Sequence, residues 1–116
     1  MTTYTGGCHC GKVRYEVDME LGPVVSCNCS HCSMKGMLLS FVPVESFRLL
    51  SGEDVLTEYR FNKKQIEHLF CSVCGVQSFS YGVDKEGKRG AAINVRCLDN
   101  IELADLTHMP FDGRSY

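Results

Sequence analysis

No stretch of this 116-residue chain approaches the roughly 20 apolar residues needed to cross a bilayer, because charged or polar side chains interrupt every hydrophobic run. The N-terminal residues Met1 to Gly7 also lack a basic stretch followed by an apolar one, so neither a secretory signal nor a mitochondrial presequence is expected. The sequence thus reads as that of a cytoplasmic protein. A net charge of −2 supplies no large electropositive field, which argues against nucleic acid as a partner. Repeats, low-complexity tracts and linkers are missing too, and residues 1–116 are expected to form one domain. Nor does any segment carry a long amphipathic helical period, so helix is expected only as short turns near residues 30–35, 44–46 and 103–107.

What the chain does have is alternation. Across residues 12–17, Val13, Tyr15 and Val17 fall on one face and Lys12, Arg14 and Glu16 on the other, the period of a half-buried strand. Further β-rich runs cover residues 24–27, 37–42, 47–50, 55–61, 68–70, 77–81 and 91–95, separated by turn signals such as Gly22-Pro23 and Ser51-Gly52-Glu53-Asp54. The fold class read from this pattern is mainly β. Phe41, Phe47, Phe61, Phe70 and Phe79, with Tyr59 and Tyr81, sit in those runs and are expected to build the core.

The chain also holds eight cysteines, more than a reducing compartment keeps as disulfides, so their spacing carries the chemistry. They fall into Cys8-His9-Cys10, Cys27-Asn28-Cys29-Ser30-His31-Cys32 and Cys71-Ser72-Val73-Cys74, with Cys97 alone. Zinc prefers four thiolate or imidazole ligands in a tetrahedron, and Cys8, Cys10, Cys71 and Cys74 can supply them if the fold joins the two pairs. Gly6-Gly7 before the first pair and Gly75 after the second suit tight turns that aim backbone amides at sulfur. A redox Cys-x-x-Cys is the alternative, disfavoured by the second cysteine pair and by the lack of a βαβ pattern.

Cys27, Cys29 and Cys32 then form a second thiolate site short of one cysteine. A catalytic zinc keeps such a position open, for water or an exogenous thiol; a structural one would be completed by His31, His68 or Cys97. His9 and His31 follow ligands so closely that they are expected to point outward. His68 is read either as a hydrogen-bonding neighbour of a metal or substrate or as the cap of a strand end. Cys97 is expected in or near the core as an apolar side chain. The scattered cations Arg48, Arg60, Lys63, Lys64, Lys85, Lys88 and Arg89 are expected to be solvated.

The ordered motifs Gly6-Gly7-Cys8-His9-Cys10-Gly11, Cys27-Asn28-Cys29-Ser30-His31-Cys32 and His68-Leu69-Phe70-Cys71-Ser72-Val73-Cys74-Gly75 resemble those of the glutathione-dependent formaldehyde-activating enzymes, a domain shared with the centromere protein V family. The resemblance continues through Phe47-Arg48-Leu49-Leu50-Ser51-Gly52, Tyr59-Arg60-Phe61-Asn62, Gly75-Val76-Gln77-Ser78-Phe79, Asn94-Val95-Arg96-Cys97-Leu98-Asp99 and Phe111-Asp112-Gly113, and so covers nearly the whole chain. It implies an Mss4-like fold of small antiparallel sheets joined around zinc. It also implies one structural zinc on Cys8, Cys10, Cys71 and Cys74 and a catalytic-type zinc on Cys27, Cys29 and Cys32.

The activity implied is condensation of glutathione with formaldehyde to S-hydroxymethylglutathione, formally the reverse of a carbon–sulfur lyase, with the three cysteines as ligands and not nucleophiles. The central segment resembles the centromere protein V branch more closely, and no residue is assigned to glutathione binding, to catalysis or to a cofactor other than zinc. The expected function is a zinc-dependent carbon–sulfur lyase-type enzyme acting on a small thiol or thiol–aldehyde adduct. The alternative is a non-catalytic, zinc-stabilised protein-binding module.

Overall fold

The computed structural model describes residues 2–27, 34–59, 67–83 and 86–111. Ten strands run in chain order: β1 Thr2–Gly7, β2 Arg14–Met19, β3 Val24–Cys27, β4 Leu39–Pro43, β5 Phe47–Ser51, β6 Leu56–Tyr59, β7 Glu67–Cys71, β8 Phe79–Val83, β9 Arg89–Asn94 and β10 His108–Phe111. Short 3₁₀ turns occupy Val44–Ser46, Glu53–Val55, Val95–Cys97 and Leu103–Asp105. Two of these fall where helical turns are expected; of the third, residues 30–35, only Met34 and Lys35 are described, and they are helical.

The strands form a three-stranded sheet, β1-β2-β5, and a seven-stranded sheet, β10-β3-β4-β9-β8-β7-β6. Every pairing is antiparallel except β3 with β10, which run parallel from His108↔Val24 to Phe111↔Cys27, so the larger sheet is mixed and not purely antiparallel. The core lies where the two sheets meet. Val13, Tyr15 and Val17 are wholly buried and Met19 nearly so, as the alternation of β2 requires, and they pack with Phe47, Phe79, Ile93 and Val95. The rings of Tyr15, Phe47 and Phe79 lie with centroids 4.7 to 5.8 Å apart in tilted and edge-on contacts.

Not every aromatic joins them. Phe41 is 63% exposed and Tyr59 49% exposed, because the register sets them on the far face of the large sheet. On β4, Val42 is buried in the core, so Phe41 beside it points the other way. One cross-strand row on this outer face runs Tyr59, His68, Ser80, Ala92, Phe41. Phe70 and Tyr81 are half-buried, each beneath a cation: Lys35 Nζ lies 5.3 Å from the Phe70 centroid and the Arg89 guanidinium 4.2 Å from that of Tyr81. Phe61 lies outside the described residues.

Candidate metal centre

The end of β1 and the end of β7 each run straight into a cysteine turn. In the first, the Gly11 N–H donates to the Cys8 carbonyl at 3.2 Å, and the Cys8 N–H donates to the Val13 carbonyl at 3.1 Å. In the second, the Gly75 N–H donates to the Cys71 carbonyl at 2.7 Å, and the Cys71 N–H to the Val76 carbonyl at 3.1 Å. The two turns have the same pattern, and each closes on a glycine in the left-handed region, φ 83° at Gly11 and 82° at Gly75. The turn at Gly75 is the one its sequence suggests. Gly6 and Gly7 are not turn residues: they complete β1, where a Cβ would strike the Cys97 carbonyl and the Tyr15 hydroxyl from Gly6, and the Val13 carbonyl from Gly7. Gly11 is the turn glycine of the first pair.

The turn at Cys71 is tied down from outside as well. Both the N–H and the hydroxyl of Ser72 donate to the Val55 carbonyl, at 2.8 and 2.7 Å. The two turns meet so that the Sγ atoms of Cys8, Cys10, Cys71 and Cys74 all lie within 4.8 Å of one another. Cys8 and Cys10 are 3.5 Å apart, and Cys10 and Cys71 3.7 Å, across 61 residues of sequence. A tetrahedron of sulfurs at the usual Zn–S distance of about 2.3 Å has edges of about 3.8 Å. The donor set, its number and its spacing fit a zinc ion.

The electrostatics point the same way. The Val76 N–H, then the Cys10 N–H, stabilise the Cys74 thiolate and bring its pKa down to about 6. Burial pushes the Cys8 thiol up, but hydrogen bonds from the Val13 N–H and Cys10 outweigh it and leave Cys8 below the ordinary thiol value. The Lys12 N–H pulls Cys10 down, yet desolvation and the three neighbouring sulfurs carry it up to about 11. Without a cation, sulfurs this close do not all ionise, whereas a bound dication removes the mutual repulsion. Cys8 and Cys71 are buried, Cys74 is half-buried and Cys10 exposed, so each pair contributes one inner sulfur and one nearer solvent. His9 is exposed, as its position between two cysteines leads one to expect.

Of the second cysteine cluster, Cys27 ends β3 by its backbone, while Cys29, Cys32 and His31 lie outside the described residues. Cys97 closes the 3₁₀ turn Val95–Cys97 and is half-buried; its thiol donates to the Gln77 carbonyl at 3.9 Å, and burial raises its pKa to about 11. His68, only 5% exposed, does not sit at the sulfur cluster. Its Nδ1 faces the Gln77 side-chain nitrogen at 3.3 Å. Gln77 and Asn94 are buried polar residues that the sequence places in family motifs without giving them a role. Asn94 Nδ2 donates to the Gln77 carbonyl at 2.9 Å.

Comparison with known proteins agrees with this architecture. A solved structure from Rhodobacter sphaeroides superposes with a TM-score of 0.78 at 25% identity, covering 90% of this chain and 99% of that one. The family model for glutathione-dependent formaldehyde-activating enzyme matches residues 3–110, nearly the whole length, including both cysteine turns that meet in the structure. No helix among the described residues is long and apolar enough to cross a membrane. The chain belongs to the glutathione-dependent formaldehyde-activating enzyme family.

Proposed function

We propose that this chain is a zinc-dependent, carbon–sulfur lyase-type enzyme that joins a small thiol to an aldehyde, acting in the cytoplasm on glutathione and formaldehyde or on close analogues. One observation carries the reading. Cys8, Cys10, Cys71 and Cys74 satisfy a tetrahedral ion among themselves, which leaves Cys27, Cys29 and Cys32 as a separate thiolate set in a chain of this family. A complete four-sulfur site has no place for a substrate and suits a structural zinc. A three-sulfur site has one.

Zinc held by three thiolates supplies acidification of an added thiol and polarisation of a carbonyl oxygen. The overall change is an addition. A bond forms between the thiol sulfur and the aldehyde carbon, the π pair of the carbonyl moves to oxygen, and the proton lost by sulfur ends on that oxygen; nothing is oxidised or reduced. The chain's own contribution is to hold the reactants together, the part of catalysis that matters most for a bimolecular addition.

Native mass spectrometry tests the reading. Two zinc ions per chain, with a glutathione adduct that disappears in Cys29→Ser, are expected. One zinc and no adduct at any thiol concentration would overturn it in favour of a zinc-stabilised binding module.

A further inference from the structure

The four clustered sulfurs are not equally open to solvent. Cys71 is wholly buried, Cys8 is 7% exposed and Cys74 is half-buried, whereas Cys10 is exposed. A reagent in solution therefore meets the cluster first at Cys10. Two sulfurs stand close to it, Cys8 at 3.5 Å and Cys71 at 3.7 Å. They differ in what a bond to Cys10 would disturb. A bond to Cys8 closes a small ring inside the first turn, against the hydrogen bonds from the Gly11 and Cys8 N–H groups that set its backbone. A bond to Cys71 runs between the two turns and leaves the hydrogen bonds of both in place.

The position of Cys10 and Cys71 in the fold gives such a bond a consequence. The first turn continues β1 of the three-stranded sheet, and the second continues β7 of the seven-stranded sheet. A Cys10–Cys71 disulfide would thus join the same two turns that a shared ion joins, across the same 61 residues of sequence. Either tie restrains the unfolded chain by closing that loop.

We infer that the four-sulfur site is a reversible redox clasp, in which a peroxide oxidises Cys10, Cys71 closes a disulfide on it, and zinc is given up while the fold is kept. In the first step the Cys10 sulfur attacks the O–O bond; a sulfenic acid forms, and the second oxygen leaves as hydroxide and is protonated to water. In the second step the Cys71 thiolate displaces the sulfenic oxygen, which also leaves as water. The two sulfurs have lost two electrons between them, and the peroxide has been reduced to two waters. Cys8 and Cys74 alone are too few to close a tetrahedral zinc site. A small thiol reverses the change by exchange, two thiols leaving as their own disulfide, and the four sulfurs are again available to the ion. In a reducing compartment such a disulfide is transient, as a sensing device requires.

The test treats the zinc-loaded full chain with hydrogen peroxide, blocks free thiols with iodoacetamide and maps the peptides by mass spectrometry. The peptides that carry Cys10 and Cys71 are expected to be cross-linked through those two residues, with Cys8 and Cys74 alkylated. Reading these four cysteines alone keeps the result separate from Cys27, Cys29 and Cys32. Circular dichroism of the oxidised protein in chelator should retain its β signal, and a dithiol added to that sample should abolish it. Cys10→His keeps four zinc ligands but removes the exposed sulfur, and alkylation of Cys8 and Cys74 at the same peroxide dose should be about tenfold slower. Should Cys10→His fail to retain zinc, the mapping of the wild type decides alone. A Cys71–Cys74 or Cys8–Cys10 disulfide as the main product would overturn the inference. So would Cys10 carried to sulfinic acid without a cross-link, loss of the β signal on oxidation, or a zinc-loaded Cys10→His protein that responds as fast as the wild type.

Discussion

Gly7 lies so close to Val13 that a Cβ on it would stand 2.0 Å from the Val13 carbonyl oxygen. That contact shapes the first cysteine turn, because the same carbonyl accepts the Cys8 N–H and the Val13 N–H points at Cys8 Sγ at 3.4 Å. A methyl group at Gly7 must therefore push the turn open. Gly7→Ala is expected to cost about 3 kcal/mol or more and to weaken zinc retention. Gly11→Ala meets no atom and pays only for its left-handed φ of 83°, about 1–2 kcal/mol. Thermal melts of the two variants side by side check the difference; a Gly11→Ala protein less stable than Gly7→Ala would contradict it.

Metal removal is expected to unfold the chain. A protein of this size is stable by about 5–15 kcal/mol, and a structural zinc contributes about 10–16 kcal/mol in zinc-finger peptides at neutral pH. The four sulfurs join segments 61 residues apart, from Cys10 to Cys71, so the ion closes a long loop as well as holding charge. Circular dichroism in a strong chelator should show the β signal lost, and Cys74→Ser should reproduce the loss without chelator. A chelated protein that still melts cooperatively near the wild-type temperature would show that the core suffices alone.

The link through Arg14 and Asp99, between β2 and the loop that follows the Val95–Cys97 turn, is expected to matter less. The pair is supplemented by the Thr5 hydroxyl, which donates to Asp99 at 2.8 Å, and by the Asp99 N–H, which donates to the Thr5 carbonyl at 2.8 Å. Both charged side chains are over a third exposed, so water screens them. A double-mutant cycle with Arg14→Met and Asp99→Asn should return a coupling of about 1 kcal/mol or less. A coupling several times larger would mean that the pair is desolvated.

Much of this was legible in the chain. β2 could be read because one face of it is fully buried and the other is charged, which is the case in which alternation is clearest. β1 could not: its buried positions are glycines, and a Gly-Gly pair reads as a turn until the nearby Val13 and Cys97 carbonyls are known. β10 was missed for a related reason, since it contains Pro110 and pairs in parallel at the edge of the sheet, where no hairpin announces it. The exposed Phe41 shows the limit of reading aromatics as core, because which face they occupy depends on register. Cysteine spacing carried the four-sulfur site, because short pairs are a local signal. Gln77 was legible only as a member of the motif Gly75-Val76-Gln77-Ser78-Phe79, and its contacts were not, because His68 and Asn94 reach it from neighbouring strands.

Cys97 gives the clearest pH dependence. Burial raises its thiol to about 11, against about 8.5 for a free thiol in the unfolded chain. The folded state therefore keeps its proton after the unfolded state has lost it. Stability from this group is fully present below about pH 8.5 and is lost as pH rises through about 11, by about 3 kcal/mol in all. Cys97→Ala removes the titration, so its stability should fall less steeply than the wild type's between pH 9 and 11, measured by urea unfolding with zinc present. In the wild type the thiol should react slowly with iodoacetamide at pH 8, because little of it is thiolate. Parallel stability curves for the two proteins, or rapid alkylation of Cys97 at pH 8, would show that the thiol is not held in its neutral form by the fold.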